Sequence, residues 1–219
     1  MPVPATLAQR HGVTHLSRPF AEATYRVVRA NPEMAMKRWL GLSTGIDRFS
    51  VGTGKAVSWL IVVMVFVAAY NAIVRYAGRF LGANLSSNAY IETQWYLFSL
   101  IFLLGAAYAL QQDAHVRVDV LFARFQPRTR AWINVLGTVL LLVPFCIFLL
   151  LVSWPVVANS WRVREVSPDP GGLPRWPLKM VIPVCFVLLV VQGISELIKE
   201  IARLRGFLPF REEHHVEGV

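Results

Sequence analysis

Residues 132–157 read WINVLGTVLLLVPFCIFLLLVSWPVV, an unbroken apolar run without a charged side chain. A helix of about 26 residues rises roughly 39 Å, enough to cross a hydrocarbon core of about 30 Å. In that medium the backbone must satisfy its own hydrogen bonds, which only helices and closed barrels do, and a run this continuous lacks the alternation of a barrel strand. The stretch is therefore expected to be a membrane-spanning helix, kinked at Pro144, with Trp132, Trp154 and Trp161 marking its two interfaces.

Three further apolar runs lie near 56–76, 90–110 and 180–198. The chain thus reads as an all-α integral membrane protein of four transmembrane helices, carried by a membrane domain at 55–203. Residues 1–54 are expected to be a basic leader, partly disordered, in which SRPFAEATYRVVRANPE forms at most a short amphipathic helix broken before Pro32. Residues 204–219 form a tail whose paired histidines lack a metal-ligand spacing.

A net charge of +9 in a soluble chain would invite a nucleic-acid reading, so the location of the 22 basic residues decides. Those before the first span, between the second and third, and after the fourth number sixteen; those in the other two connections number six, among them Arg75, Arg79, Arg175 and Lys179. The positive-inside rule then places both termini in the cytoplasm, N-in and C-in, and the charge serves topology and anionic phospholipid; no nucleic-acid partner is expected.

Cys146 and Cys185 fall mid-span, where small packed hydrophobes and no disulfide are expected. VGTGKAV at 51–57 resembles a phosphate loop, but Phe49 and Ala56 stand where that pattern needs Gly and Ser or Thr; its glycines are read as loosening the chain at the bilayer entry. Asn71, four residues before Arg75, and Glu92, Gln94, Tyr108 and Gln192 are polar groups in or beside spans, and such groups usually face protein. They are the candidate contacts with a partner. A first-turn position, where the helix dipole favours a carboxylate, would also account for Glu92. Gln192 and Gly193 are expected to permit close helix approach.

The stretch DAHVRVDV, Asp113 to Val120, crowds titratable groups just past the second span. Continued as a helix it aligns Val118, Leu121, Phe122 and Phe125 in one apolar stripe flanked by Arg117, Arg124 and Arg128. That is the pattern of a short amphipathic helix lying in the interface between spans two and three, with arginines on phosphates. His115 has no ligand set, and Asp119 can cap or pair; lipid or partner contact is expected for His115, Arg117, Asp119, Arg124 and Arg128 rather than catalysis. The outer loop EVSPDPGGLPRWPLK is too rich in proline and glycine for helix or strand, and Glu165, Asp169 and Arg175 are its candidates for docking a soluble partner.

Several chemistries find no residues. All five histidines lie outside the spans, which removes a haem anchor; no nucleophile–base set or metal pair lies at depth, so no catalytic, cofactor or metal residues are assigned. A self-sufficient transporter shows midplane charges or repeated broken helices, whereas Arg75, Glu92 and Glu196 sit near the interfaces. The residues alone suggest an accessory subunit of a larger membrane assembly, with a small autonomous channel as the alternative.

ETQWYLFSLIFLLGAAYALQQDAHVRVDV at 92–120, followed in order by RTRAWINVLG, PF, SW and PGGLPRWPLK, closely resembles the small membrane subunit, DctQ-type, of TRAP (tripartite ATP-independent periplasmic) transporters. The resemblance covers roughly 57–203. It implies three parts: a periplasmic substrate-binding protein that delivers an organic acid, a large permease subunit that moves it by an elevator motion driven by a sodium gradient, and this small subunit as scaffold. It implies a multi-pass protein of the bacterial inner membrane that binds neither substrate nor sodium itself. The PGGLP loop suggests a monocarboxylate or oxo acid.

Overall fold

The computed structural model describes residues 18–82, 87–114 and 125–210, with side chains from residue 33 onward. The chain forms two compact units, Met1–Gly41 and Leu42–Val219. Its elements are α1 (Arg18–Leu81), α2 (Asn88–Gln111), α3 (Pro127–Gly137), a π-helical turn (Thr138–Leu142), α4 (Val143–Arg162), α5 (Trp176–Lys179) and α6 (Val181–Leu204). Among the described residues there is no strand, only an isolated bridge between Val166 and Pro174. Four helical stretches, 33–81, 88–111, 127–162 and 176–204, are long and apolar enough to cross a membrane.

A helix covers each of the four apolar runs and extends beyond it. The expected break before Pro32 is absent: α1 runs through it. A proline removes one hydrogen bond and bends a helix without having to end it. Residues 42–54, expected in the leader, belong to the second unit, where Ser43 and Ser50 are buried. The buried positions Ser43, Ser50, Val57 and Gly78 recur at multiples of seven along α1. Trp59, Phe66, Ile73 and Phe80 repeat seven apart on the other side and are 67–77 % exposed. Glycine here also differs from expectation. A Cβ on Gly54 would overlap the Tyr108 ring, so this residue lets α1 and α2 approach closely rather than loosening the chain.

α2 starts at Asn88 because Ser87 caps it, its hydroxyl accepting from the Ala89 N–H at 3.3 Å. Glu92 therefore lies beyond the first turn, and the expected dipole role does not hold: the first turn carries no acid. At the other end Asp113 takes a left-handed conformation (φ 59°), and the Ala114 N–H reaches the Ala109 carbonyl at 3.0 Å, closing the helix.

The third crossing is helical from Pro127 to Arg162. Pro144 cannot donate to the carbonyl one turn back, and the π turn immediately before it widens the ladder at that point. A second proline, Pro155, lies inside α4. The helix ends as α2 does: Arg164 is left-handed (φ 50°) and the Glu165 N–H bonds the Ser160 carbonyl at 3.0 Å.

α6 is the central helix, packing against α2, α3 and α4, and it buries the most residues, including Pro183, Cys185, Gln192, Gly193 and Ser195. A Cβ on Gly193 would stand 2.6 Å from Leu142 Cδ2, so glycine permits the close approach of the π turn. Cys146 and Cys185 are buried free thiols. The predicted interfacial helix, with His115, Arg117, Asp119 and Arg124, and the 211–219 tail lie outside the described residues. Arg128 is exposed in the first turn of α3.

Candidate functional site

Two polar clamps hold the helices, one at each end of the apolar zone. The first centres on Glu92. Its Oε2 accepts the Leu173 N–H at 2.6 Å and its Oε1 accepts the Ser167 hydroxyl, with the Arg175 guanidinium 4.0 Å away. The loop it grips is tightly folded: the Ser167 N–H bonds the Leu173 carbonyl at 3.1 Å, and the Glu165 carbonyl accepts from Arg175 and Trp176 at 2.9 and 3.3 Å. Gly171 supplies the positive φ of 72° that the turn requires. Gly172 leaves room for the carboxylate, since a Cβ there would lie 2.9 Å from Glu92 Oε1. From α2, the Tyr96 hydroxyl donates to the Leu173 carbonyl at 3.2 Å and Asn88 Nδ2 to the Pro170 carbonyl at 3.2 Å.

The loop's base is held separately. Lys179 Nζ lies 2.5 Å from Glu165 Oε2, and this ammonium holds the Glu165 carboxyl below its ordinary value. Arg164 lies over the rings of Trp161 and Trp176, at 5.2 and 4.6 Å, and the two rings meet edge to face at 4.4 Å.

The second clamp joins α1 to α6. Gln192 is fully buried: its Oε1 accepts the Ser50 hydroxyl at 2.7 Å, and its Nε2 donates to Asp47 Oδ1 at 2.9 Å and Glu196 Oε1 at 3.3 Å. Ser195 Oγ donates to Asp47 Oδ1 at 2.8 Å and shares a 2.8 Å bond with Ser43 Oγ. Lys199 Nζ bridges Asp47 at 3.0 Å and Glu196 at 2.5 Å. One turn on, Glu200 Oε1 accepts from Asn134 at 3.0 Å and Arg203 at 2.7 Å, tying α3 to α6. A carboxylate drawn out of water needs a partner and hydrogen bonds, and half-buried Asp47 has three donors, Gln192, Ser195 and Lys199.

From Glu92 to Gln111 along α2 is roughly 28 Å at the helical rise, close to the thickness of a hydrocarbon core. Tyr108, near the lower end of α2, packs on Gly54, one turn from Ser50. Between the clamps the sequence holds no charged side chain in 56–74, 93–112, 131–161 or 180–195. Among the described residues no group of three or more His, Cys, Asp or Glu could hold a metal.

The structure separates the sequence-predicted residues. Glu92 and Gln192, expected to offer polar groups to a partner, are turned inward and bonded within the chain, because each finds complementary donors or acceptors on another element. Gln94 bonds its own turn at the Tyr90 carbonyl, and Tyr108 is half-buried on Gly54. Asn71 Oδ1 is buried without a hydrogen-bond partner among the described residues. Glu165 and Arg175 belong to the loop's internal frame, whereas Asp169 is exposed near its tip. Asp47, Ser43, Ser195 and Lys199 were missed. Their signal was periodic: Ser43, Asp47, Ser50 and Gly54 share one helix face, as do Gln192, Ser195, Glu196 and Lys199.

No curated protein and no solved structure matches this chain. A family model described as "Tripartite ATP-independent periplasmic transporters, DctQ component" matches residues 64–203, which run from the last third of α1 almost to the end of α6. It is a family of transporter components rather than enzymes, in keeping with four helices able to cross a membrane. The chain belongs to the DctQ family and is a small permease component of a tripartite ATP-independent periplasmic transporter.

Proposed function

We propose that this chain is the static scaffold of its transporter, seated N-in and C-in in the bacterial inner membrane, against which a large elevator-type permease subunit performs sodium-driven uptake of an organic acid. A periplasmic binding protein delivers that acid. The observation that carries this reading is the empty chemistry between the clamps: no charged side chain lies in the apolar zone, and the carboxylates buried among the described residues, Glu92 and Glu200, are tied to other parts of the same chain. Substrate and sodium need polar groups near the midplane, so this reading assigns them to the partner.

The face of α1 bearing Trp59, Phe66, Ile73 and Phe80 supports a partner-binding role, since large side chains at seven-residue spacing form a straight seam for another helix. Gln94 and Tyr108 on α2 remain within reach of a partner. The rigid loop, with Asp169 at its tip, offers the binding protein a fixed platform. Arg128, with His115, Arg117, Asp119 and Arg124, is assigned to anionic lipid or the large subunit at the inner interface.

The test is co-purification of the large permease subunit with wild-type chain and with Phe66→Gln plus Ile73→Gln. Loss of the partner with an intact fold is expected; recovery at wild-type yield contradicts the assigned face.

A further inference from the structure

α4 and α6 do not close on each other along their whole length. Pro155 inside α4 and Pro183 in the first turn of α6 both line a cleft of about 530 Å³, together with Leu151, Trp154, Val184 and Val187. Pro155 lacks the donor that would complete its helical turn, whereas Pro183 stands in a first turn that needs none, and both rings line the cleft. The lining is apolar throughout, so the cleft offers water and polar solutes no hydrogen bond. Its size is within the range of ligand-binding cavities.

The head of the cleft has the opposite chemistry. Trp161 stands two turns above Trp154 on α4, roughly 10 Å by the helical rise, and Trp176 stands one turn before Met180, which also lines the cleft. Arg164 rests on both of these rings and is exposed. Lys179 is taken by Glu165 and Arg175 faces Ser167 and Glu92, while Arg162 and Arg164 have no carboxylate partner among the described residues. A cation held on an aromatic shelf at the interface, above an apolar cleft, presents the two halves of a phospholipid in order.

We propose that this cleft is a binding site for an anionic phospholipid, with one acyl chain between Pro155 and Pro183 and the phosphate against Arg164. The site lies on the loop side of the bilayer. Occupancy fills the gap between α4 and α6 that the prolines line, bracing the helix that supports the outer loop.

The test is native mass spectrometry of the full chain titrated with dioleoyl phosphatidylglycerol and, separately, dioleoyl phosphatidylcholine. Arg164→Gln removes the charge, and Val184→Trp fills the cleft from a half-exposed position that the fold does not rely on. Tighter binding of phosphatidylglycerol to wild type is expected, weakened about fivefold by Arg164→Gln, as one interfacial arginine contributes. Val184→Trp is expected to abolish retention of both lipids. Unchanged retention in either variant overturns the site. So does Val184→Trp displacing the large permease subunit while lipid binding persists, which would show a protein helix in the cleft.

Discussion

Glu92 Oε2 accepts the backbone N–H of Leu173, 81 residues further along the chain, at 2.6 Å. A side chain near the start of one helix thereby fixes the loop that leads into another. Replacing Glu92 with Ala removes the acceptor for both Leu173 and Ser167, and the loop loses its anchor while its own bridge persists. Hydrogen exchange should rise at Leu173 in Glu92→Ala, with Glu92→Gln intermediate, since an amide oxygen accepts one of the two bonds. Unaltered protection at Leu173 would contradict the anchoring role.

Gly172 is the loop's tightest point, where a Cβ would meet Ser167 and the Glu92 carboxylate. Gly172→Ala is expected to destabilise the fold by about 1–3 kcal/mol through overpacking. Thermal unfolding in detergent checks this, and pairing the change with Glu92→Ala should make the two costs less than additive.

The second clamp depends on Gln192 more than on any single charge. Gln192→Leu keeps the volume but strands the Ser50 hydroxyl and removes one donor from Asp47, at a cost of about 1–3 kcal/mol. Chemical denaturation of the chain in mixed micelles measures it. A stability equal to wild type would show that water replaces the amide there.

Gly54 and Tyr108 form the lower contact of α1 and α2. Gly54→Val is expected to force the helices apart, costing about 1–3 kcal/mol, and Tyr108→Ala should relieve part of that cost in the double variant. A cysteine cross-link between α1 and α2 reports the separation.

Acid should release the base of the loop. The folded Glu165 carboxyl titrates below its ordinary value of 4.5 because Lys179 binds its ionised form. The contribution of this pair to loop stability is complete above 4.5 and disappears as the pH falls through the lower folded value. Exchange at Arg175 and Trp176 should therefore be flat from pH 7 to 5 and rise only below that window, and Glu165→Gln should remove the step.

How much of this was readable from residues follows from the range of each interaction. The spans were visible because an apolar run long enough to cross hydrocarbon leaves few alternatives, and the ordered loop because clustered prolines and adjacent glycines confine the backbone. The clamps were not. Ser43 and Ser195 are 152 positions apart, and Ser167 is 75 from Glu92, so their pairing depends on how helices pack. A seven-residue repeat of small and polar residues on α1 marked the buried face, yet it named no partner. The extension of α1 past Pro32 and the π turn before Pro144 were equally hidden, because a proline's effect depends on what holds the turns around it. Gln192 was read both as a site of close helix approach and as a contact for a partner, and its pairing with α1 was not seen, although Ser195, Glu196 and Lys199 share its face.

The central claim is that this chain supports transport without performing it. Reconstituting the chain alone, the large permease subunit alone, and the two together in proteoliposomes, with binding protein and an inward sodium gradient, tests that division. Uptake of an organic acid only when both membrane subunits are present, with no accumulation or ion conductance from this chain alone, is the predicted result. Sodium-dependent uptake or ion current carried by this chain by itself would contradict it.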